Sequence, residues 1–315
     1  MKIPLFDLHC DTALDLYTKG VPLASNDLHI SLDKLTRYSP YTQVMAIWSE
    51  AGKSDEECFE QFIAAKDNLE KEIRICADAA ALCKSYPEVE AARKENKASM
   101  ILAVEDARLL AGDISRLDFL YGCGVRFLTL TWKGASCVGG SYDTDLGLTD
   151  FGRRVVRRCF SLGIVPDISH ASEYVADEVA ELAEKYPLPF VATHSNAYSV
   201  HPHRRNLRDR HIDAINACGG LIGLNLCPHH LSGKESEECC TDDVMRHAEH
   251  YLSRGCENTL ALGCDLDGTT PPRCFENISD VYKIAEAMAK AGFSDELIEK
   301  IFYKNADNFI NKNLK

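Results

Sequence analysis

Residues 3–11, IPLFDLHCD, open the chain with a short apolar run that ends in a histidine and two acidic neighbours. The run Ile3–Leu8 reads as a strand buried on both faces, and His9 and Asp11, two positions apart, share a face at its end. Seven further runs of this kind follow: Tyr41–Trp48, Ser99–Val104, Val125–Thr131, Ile164–Ile168, Phe190–Thr193, Leu221–Leu226 and Thr259–Gly263. Helix patterns separate them. Ser54-Asp55-Glu56-Glu57 is a capping-box signature opening a stretch that reaches Tyr86. Asp150–Leu162, Ser172–Lys185, Arg208–Cys218 and Thr241–Arg254 read as amphipathic helices, the last with Thr241 as N-cap. Eight β units alternating with helices predict a (β/α)8 TIM-like barrel, a single domain over residues 1–315. Ser279–Ala291 and Ser294–Phe309 are its closing C-terminal helices. A doubly wound open sheet is the alternative, but no glycine-rich phosphate loop follows any of the runs.

Composition narrows the function. The 315 residues are 45% hydrophobic and 26% charged, an ordinary globular balance that excludes disorder as the main theme. A net charge of −13 argues against nucleic acid or an anionic membrane surface as partner, since both reward clustered Lys and Arg. Neither a signal peptide nor an apolar span is expected from the sequence. The fourteen cysteines are scattered without a C-x-x-C pair, several inside apolar segments, which suits reduced thiols and a cytoplasmic protein.

The polar outliers all fall at the ends of the runs. Glu105 ends the third, Ser169-His170 the fifth, His194 the sixth, and Asp265 with Asp267 the eighth. In a barrel these positions converge on the C-terminal mouth, where catalysis is placed. Charged or imidazole groups directly after buried strands are costly unless paired or bound to a metal. His9, Asp11, Glu105, His170 and His194 suit one or two borderline cations such as zinc, with the two oxygens of Glu105 able to bridge a pair. Such a pair activates a water and polarises a carbonyl, so the chemistry reads as metal-assisted hydrolysis. A single histidine after a strand is more often a hydrogen-bonded core residue, but five strand ends are not explained that way. Asp267 before Gly268 has a plain reading as a turn residue. His201, His203, His229 and His230 read as loop or rim polarity, and His247 and His250 as helix surface.

At these residues the sequence resembles the membrane (renal) dipeptidase family, the M19 metallopeptidases of the amidohydrolase superfamily. The matching stretches are DLHCDT at 7–12, VED at 104–106, RFLTLTW at 126–132, DISHAS at 167–172, THSNAYSVHPHRRN at 193–206 and CDLDG at 264–268. The resemblance implies a dipeptidase with two zinc ions per chain, other divalent metals being alternatives. His9 and Asp11 would bind one ion, His170 and His194 the other, with Glu105 between them. It also implies that Asp265 manages the proton of the attacking water, and that Arg205 pairs with the C-terminal carboxylate of a dipeptide, with tolerance for a D-residue there. Two departures stand out. Trp132 occupies a position where the family often has a substrate-contacting histidine, and Glu105-Asp106-Ala107 stands where it often has Glu-Gly-Gly. Trp132 is expected to pack at the mouth and narrow the pocket, the alternative being that its indole N–H takes over from that histidine as donor to the scissile carbonyl.

Two other readings stay open from sequence. One is an amidohydrolase acting on a cyclic amide, a lactone or a phosphoester, favoured if Arg205 points away from the metals. The other is a non-catalytic binding protein on the same barrel. A homodimer is likewise open.

Overall fold

The computed structural model describes residues 2–315. Among them are eight strands: β1 (Ile3–Cys10), β2 (Tyr38–Trp48), β3 (Ala80–Leu82), β4 (Ala98–Glu105), β5 (Val125–Thr129), β6 (Val165–Asp167), β7 (Ile222–Leu224) and β8 (Leu260–Leu262). Every ladder is parallel, and the path runs β6-β5-β4-β2-β1-β8-β7. Two isolated parallel bridges, Asp167↔Val191 and Ala192↔Ile222, close the gap between β6 and β7. The result is the TIM-like (β/α)8 barrel the sequence predicts.

The expected strand Phe190–Thr193 is therefore present in position but not as a regular ladder. A close approach of backbones explains it. A Cβ at Gly223 would lie 1.9 Å from the Thr193 carbonyl oxygen, and one at Gly263 only 1.7 Å from the same atom. On this side three chains press together where only glycine fits, and each pairing is short. β3 is the converse case. Ala80-Ala81-Leu82 has neither β-branched nor aromatic residues, and it pairs with the start of β4 outside the main path.

The helices follow their caps. Ser54 and Glu57 form the reciprocal capping box, but the helix they open ends at Ile75 and does not reach Tyr86. The helix Asp150–Leu162 has the expected bounds, and Glu173–Lys185 starts after Ser172, whose hydroxyl accepts from Val175 N. The N-cap of Thr241–Ser253 is Cys240, the last extended residue, whose N–H donates to Asp243 Oδ2 at 3.0 Å. Of the closing segments, Tyr282–Lys290 follows a 3-10 turn at Ile278–Asp280, and a second helical run covers Asp295–Asn313 with one π turn.

One buried cluster takes residues from every barrel position: Phe6, Leu8, Val44, Ala46, Ile101, Ala103, Phe127, Val165, Val191, Leu221 and Ala261. Tyr303, Phe309 and Ile310 of the last helical run belong to it, with Phe309 6.5 Å from Phe127 between ring centroids. The interior is thus a packed core plugged by the C-terminal segment. Cys10, Met45, Leu102 and Val104 belong to the second cluster, shared with the surrounding helices.

Candidate active site

A bulge aims the first histidine. Asp7 pairs with Gln43 and Cys10 with Met45, so three steps along β1 oppose two along β2. Leu8 already faces the interior and Cys10 the helices, and the extra residue between them turns His9 toward the barrel axis. Asp7 stabilises the distortion: its Oδ1 accepts from His9 N at 3.2 Å and from Cys264 N at 2.9 Å. Asp11 lies beyond the strand, as N-cap of the helix Thr12–Lys19, and its side chain makes no capping bond. The carboxylate is left facing the mouth.

Glu105 is the last residue of β4, and its two oxygens face opposite ways. Oε1 lies 2.9 Å from His170 Nε2 and 3.7 Å from His194 Nε2. Oε2 lies 3.3 Å from His9 Nε2, which is 3.5 Å from Asp11 Oδ1 and 3.9 Å from Asp265 Oδ1. His170 and His194 bring their Nε2 atoms to 2.9 Å of each other. Among the described residues two three-residue sets have ligand atoms spaced to hold a cation: His9, Glu105 and His194, and His9, Asp11 and Asp265. All five sequence candidates for metal binding are thus brought together, with Asp265 beside them.

The donor set fits a divalent cation. His9 Nε2 and Asp11 Oδ1 are buried without a hydrogen-bond partner, a cost that a cation removes. Burial opposes a proton on His9, yet the charges of Glu105 and Asp11 override it and hold its pKa well above the usual value. Glu105 is held well below the carboxylate range, despite its burial, by the charge on His9 and by hydrogen bonding from His170. Burial, with the Arg205 charge adding, pushes His170 down to about 4. Burial also drives His194 well down, with His9 adding to the effect. The cavity therefore attracts positive charge beside His9 and Glu105 and keeps the other two imidazoles neutral, the form that binds metal.

Asp265 adopts φ +60°, and its backbone N–H donates to His9 O at 3.1 Å. Its Oδ2 accepts from Asn225 Nδ2 at 3.0 Å, leaving Oδ1 toward His9. Burial, reinforced by the Glu105 charge and opposed by His9, pushes its carboxyl up to about 6. Gly268 makes room, since a Cβ there would stand 2.2 Å from Asp11 Oδ2 and 2.3 Å from Asp265 Oδ1. Asp267 instead accepts from Thr12 Oγ1 at 2.5 Å and from His29 N at 2.6 Å, a tether that agrees with the turn reading.

Arg205 is buried, whereas its neighbour Arg204 lies on the surface paired with Asp145. Arg205 Nη1 donates to Ser195 Oγ at 2.9 Å and Nη2 to His194 O at 3.0 Å, while Nε has no partner. Trp132 is half-buried at the mouth, its ring 5.2 Å from Trp48 and 6.3 Å from His170. Asp106 takes φ +70° where the family pattern often has glycine, and its carboxylate accepts from Arg108 N at 3.0 Å, a local bond that lets aspartate hold this conformation.

The structure corrects two histidine assignments. His247 is not on the helix surface. It is buried, accepting from Ala197 N at 3.1 Å through Nδ1, with Nε2 2.8 Å from Leu231 O. His230 is more than rim polarity: its Nδ1 is shielded from solvent without a partner, and burial together with the Arg205 charge holds its pKa well down. Trp48, Tyr142 and Asn225 are site neighbours that sequence reasoning missed. Only Asn225 had a signal, a polar group inside the apolar run Leu221–Leu226.

A (β/α)8 barrel whose mouth gathers three imidazoles and three carboxylates is the arrangement of a metal-dependent hydrolase. The profile of the membrane dipeptidase family, peptidase family M19, matches residues 1–312, and the chain belongs to that family. It is accordingly a metallo-dipeptidase. The dipeptidase AC, an M19 metallopeptidase, superposes with a TM-score of 0.93 at 28% identity, covering 100% of this chain and 99% of its own. A metallopeptidase from Rhodobacter sphaeroides, liganded with a phosphinate mimic of the dipeptide L-Ala-D-Ala, superposes with a TM-score of 0.92 at 26% identity over the full length of both chains. Dipeptidase tcpJ of Claviceps purpurea (strain 20.1) is 27% identical over 246 residues, which span 76% of this chain and 56% of that protein. No helix among the described residues is long and apolar enough to cross a membrane.

Proposed function

We propose that one barrel domain over residues 1–315 hydrolyses free dipeptides, including those with a C-terminal D-residue, using two zinc ions that Glu105 bridges. The observation that carries this reading is the split of the Glu105 carboxylate, with Oε1 toward His170 and His194 and Oε2 toward His9, whose Nε2 in turn lies 3.5 Å from Asp11 Oδ1. A mixed imidazole and carboxylate donor set is typical of zinc. Bound there, the ions supply Lewis acidity that eases deprotonation of a water and polarises the scissile carbonyl. Asp265 takes the proton of the attacking water on Oδ1 and returns it to the leaving amine. Arg205 presents its free Nε edge to the C-terminal carboxylate, and Trp132 with Trp48 narrows the entrance. Tolerance for a D-residue draws support from the L-Ala-D-Ala mimic held by the Rhodobacter relative. The fourteen cysteines, all unpaired, go with a cytoplasmic setting.

The cyclic-amide, lactone or phosphoester alternative is favoured by an Arg205 turned away from the metals, whereas its guanidinium is buried beside the candidate ligand His194, bonded to His194 O and Ser195 Oγ. The test is hydrolysis of L-Ala-L-Ala and L-Ala-D-Ala before chelation, after it, and after zinc is restored. Cleavage of both that is lost and regained with zinc is expected. Indifference to chelation, or turnover of lactones and phosphoesters but not dipeptides, contradicts the proposal.

A further inference from the structure

Asp167, at the end of β6, is fully buried and touches no candidate metal ligand, yet it collects four hydrogen bonds. Its Oδ1 accepts the backbone N–H of Ser169 at 2.9 Å and of Thr193 at 3.0 Å. Its Oδ2 accepts the hydroxyls of Thr129 and Thr193, both at 2.6 Å. Thr193 Oγ1 in turn lies 2.8 Å from His194 Nδ1.

Counting protons fixes the direction of this chain. A carboxylate only accepts, and a threonine hydroxyl carries one proton. If Thr193 gave that proton to His194, its oxygen and Asp167 Oδ2 would meet lone pair to lone pair at 2.6 Å. The proton therefore goes to Asp167, and the short contact to His194 is made by a proton on Nδ1. The lone pair of the ring is left on Nε2, the atom facing His170 and Glu105.

We propose that Asp167 and Thr193 form a relay that holds His194 in the Nδ1–H tautomer and so keeps its Nε2 ready to bind metal. The proposal rests on the reading of His194 as a ligand and assigns two positioning residues behind it. The His194 backbone N–H, bonded to Ser169 Oγ at 3.1 Å, anchors the same residue from the other side. His170 has no such support, its Nδ1 being buried without a partner. The relay also crosses the part of the barrel where pairing is sparsest, linking β5, the end of β6 and the closing segment. A polar contact behind a metal-binding imidazole commonly changes metal affinity by roughly 10- to 100-fold.

The test compares Thr193→Val, which keeps the shape and removes the hydroxyl, with Thr193→Ser, which keeps the hydroxyl. Zinc affinity is read by competition with a chromophoric chelator, and the imidazole tautomer of the unmodified, metal-free protein by proton–nitrogen NMR. Thr193→Val should bind zinc about 10- to 100-fold more weakly, and Thr193→Ser within about threefold of the parent. The parent should show a slowly exchanging His194 Nδ1–H. Parent-like affinity in Thr193→Val, or a His194 proton on Nε2, overturns the relay. The NMR result decides the matter even if the valine variant does not fold. His194→Ala separates the two readings: unchanged zinc affinity there refutes His194 as a ligand, whatever the tautomer.

Discussion

Asp265→Asn will keep its metals and lose turnover, with kcat lower by roughly 10²-fold or more, the size expected for a general base. The geometry gives the reason. Asn225 Nδ2 already occupies Asp265 Oδ2, so Oδ1 is the atom left to take a proton. In the asparagine variant the amide oxygen turns toward the Asn225 donor and the NH2 group faces the site, where it cannot accept. Shape and hydrogen bonding are otherwise kept, so KM should move little. Asp265 also belongs to a set spaced to hold a cation with His9 and Asp11. The measurement must therefore pair kinetics with metal analysis. Loss of metal at unchanged activity per metal would make Asp265 a ligand and not the proton carrier.

Arg205→Ala is expected to weaken dipeptide hydrolysis through KM. Truncating one partner of a desolvated charge pair costs ~2–5 kcal/mol, or roughly 30- to several-thousand-fold in kcat/KM. The variant also removes the bonds to Ser195 Oγ and His194 O, which damages any substrate's reaction equally. A dipeptide and its C-terminal amide, assayed side by side, separate the two effects. The dipeptide should lose far more than the amide. Equal losses would show that Arg205 does not read the carboxylate.

The parts of the molecule legible in the sequence are those where chemistry and periodicity coincide. Apolar runs ending in His9, Glu105, His170, His194 and Asp265 announced both the barrel and its mouth, because such groups are too costly after a buried strand without a purpose. The aim of His9 was legible for an incomplete reason. Alternation placed His9 and Asp11 on one face, whereas the structure uses a bulge for the first and a helix N-cap for the second. Bulges leave no mark in a single sequence, since the extra residue looks like any other. The inward turn of Arg205, the shielding of His230 Nδ1 and the burial of His247 depend on contacts with segments distant in sequence, which local patterns do not encode. Trp48 escaped notice because a large aromatic at a strand end is normally core. The surroundings of Trp132 are clearer with the structure: its ring packs on Trp48 at the entrance, where bulk shapes what enters.

Glu105 is expected to bridge a binuclear centre. The most direct measurement is elemental analysis of the zinc-loaded protein together with anomalous scattering at the zinc edge from its crystals. Two ions per chain are expected, each touching a different oxygen of Glu105, with His9 and Asp11 on one and His170 and His194 on the other. A single ion, fully ligated without Glu105, would contradict the account.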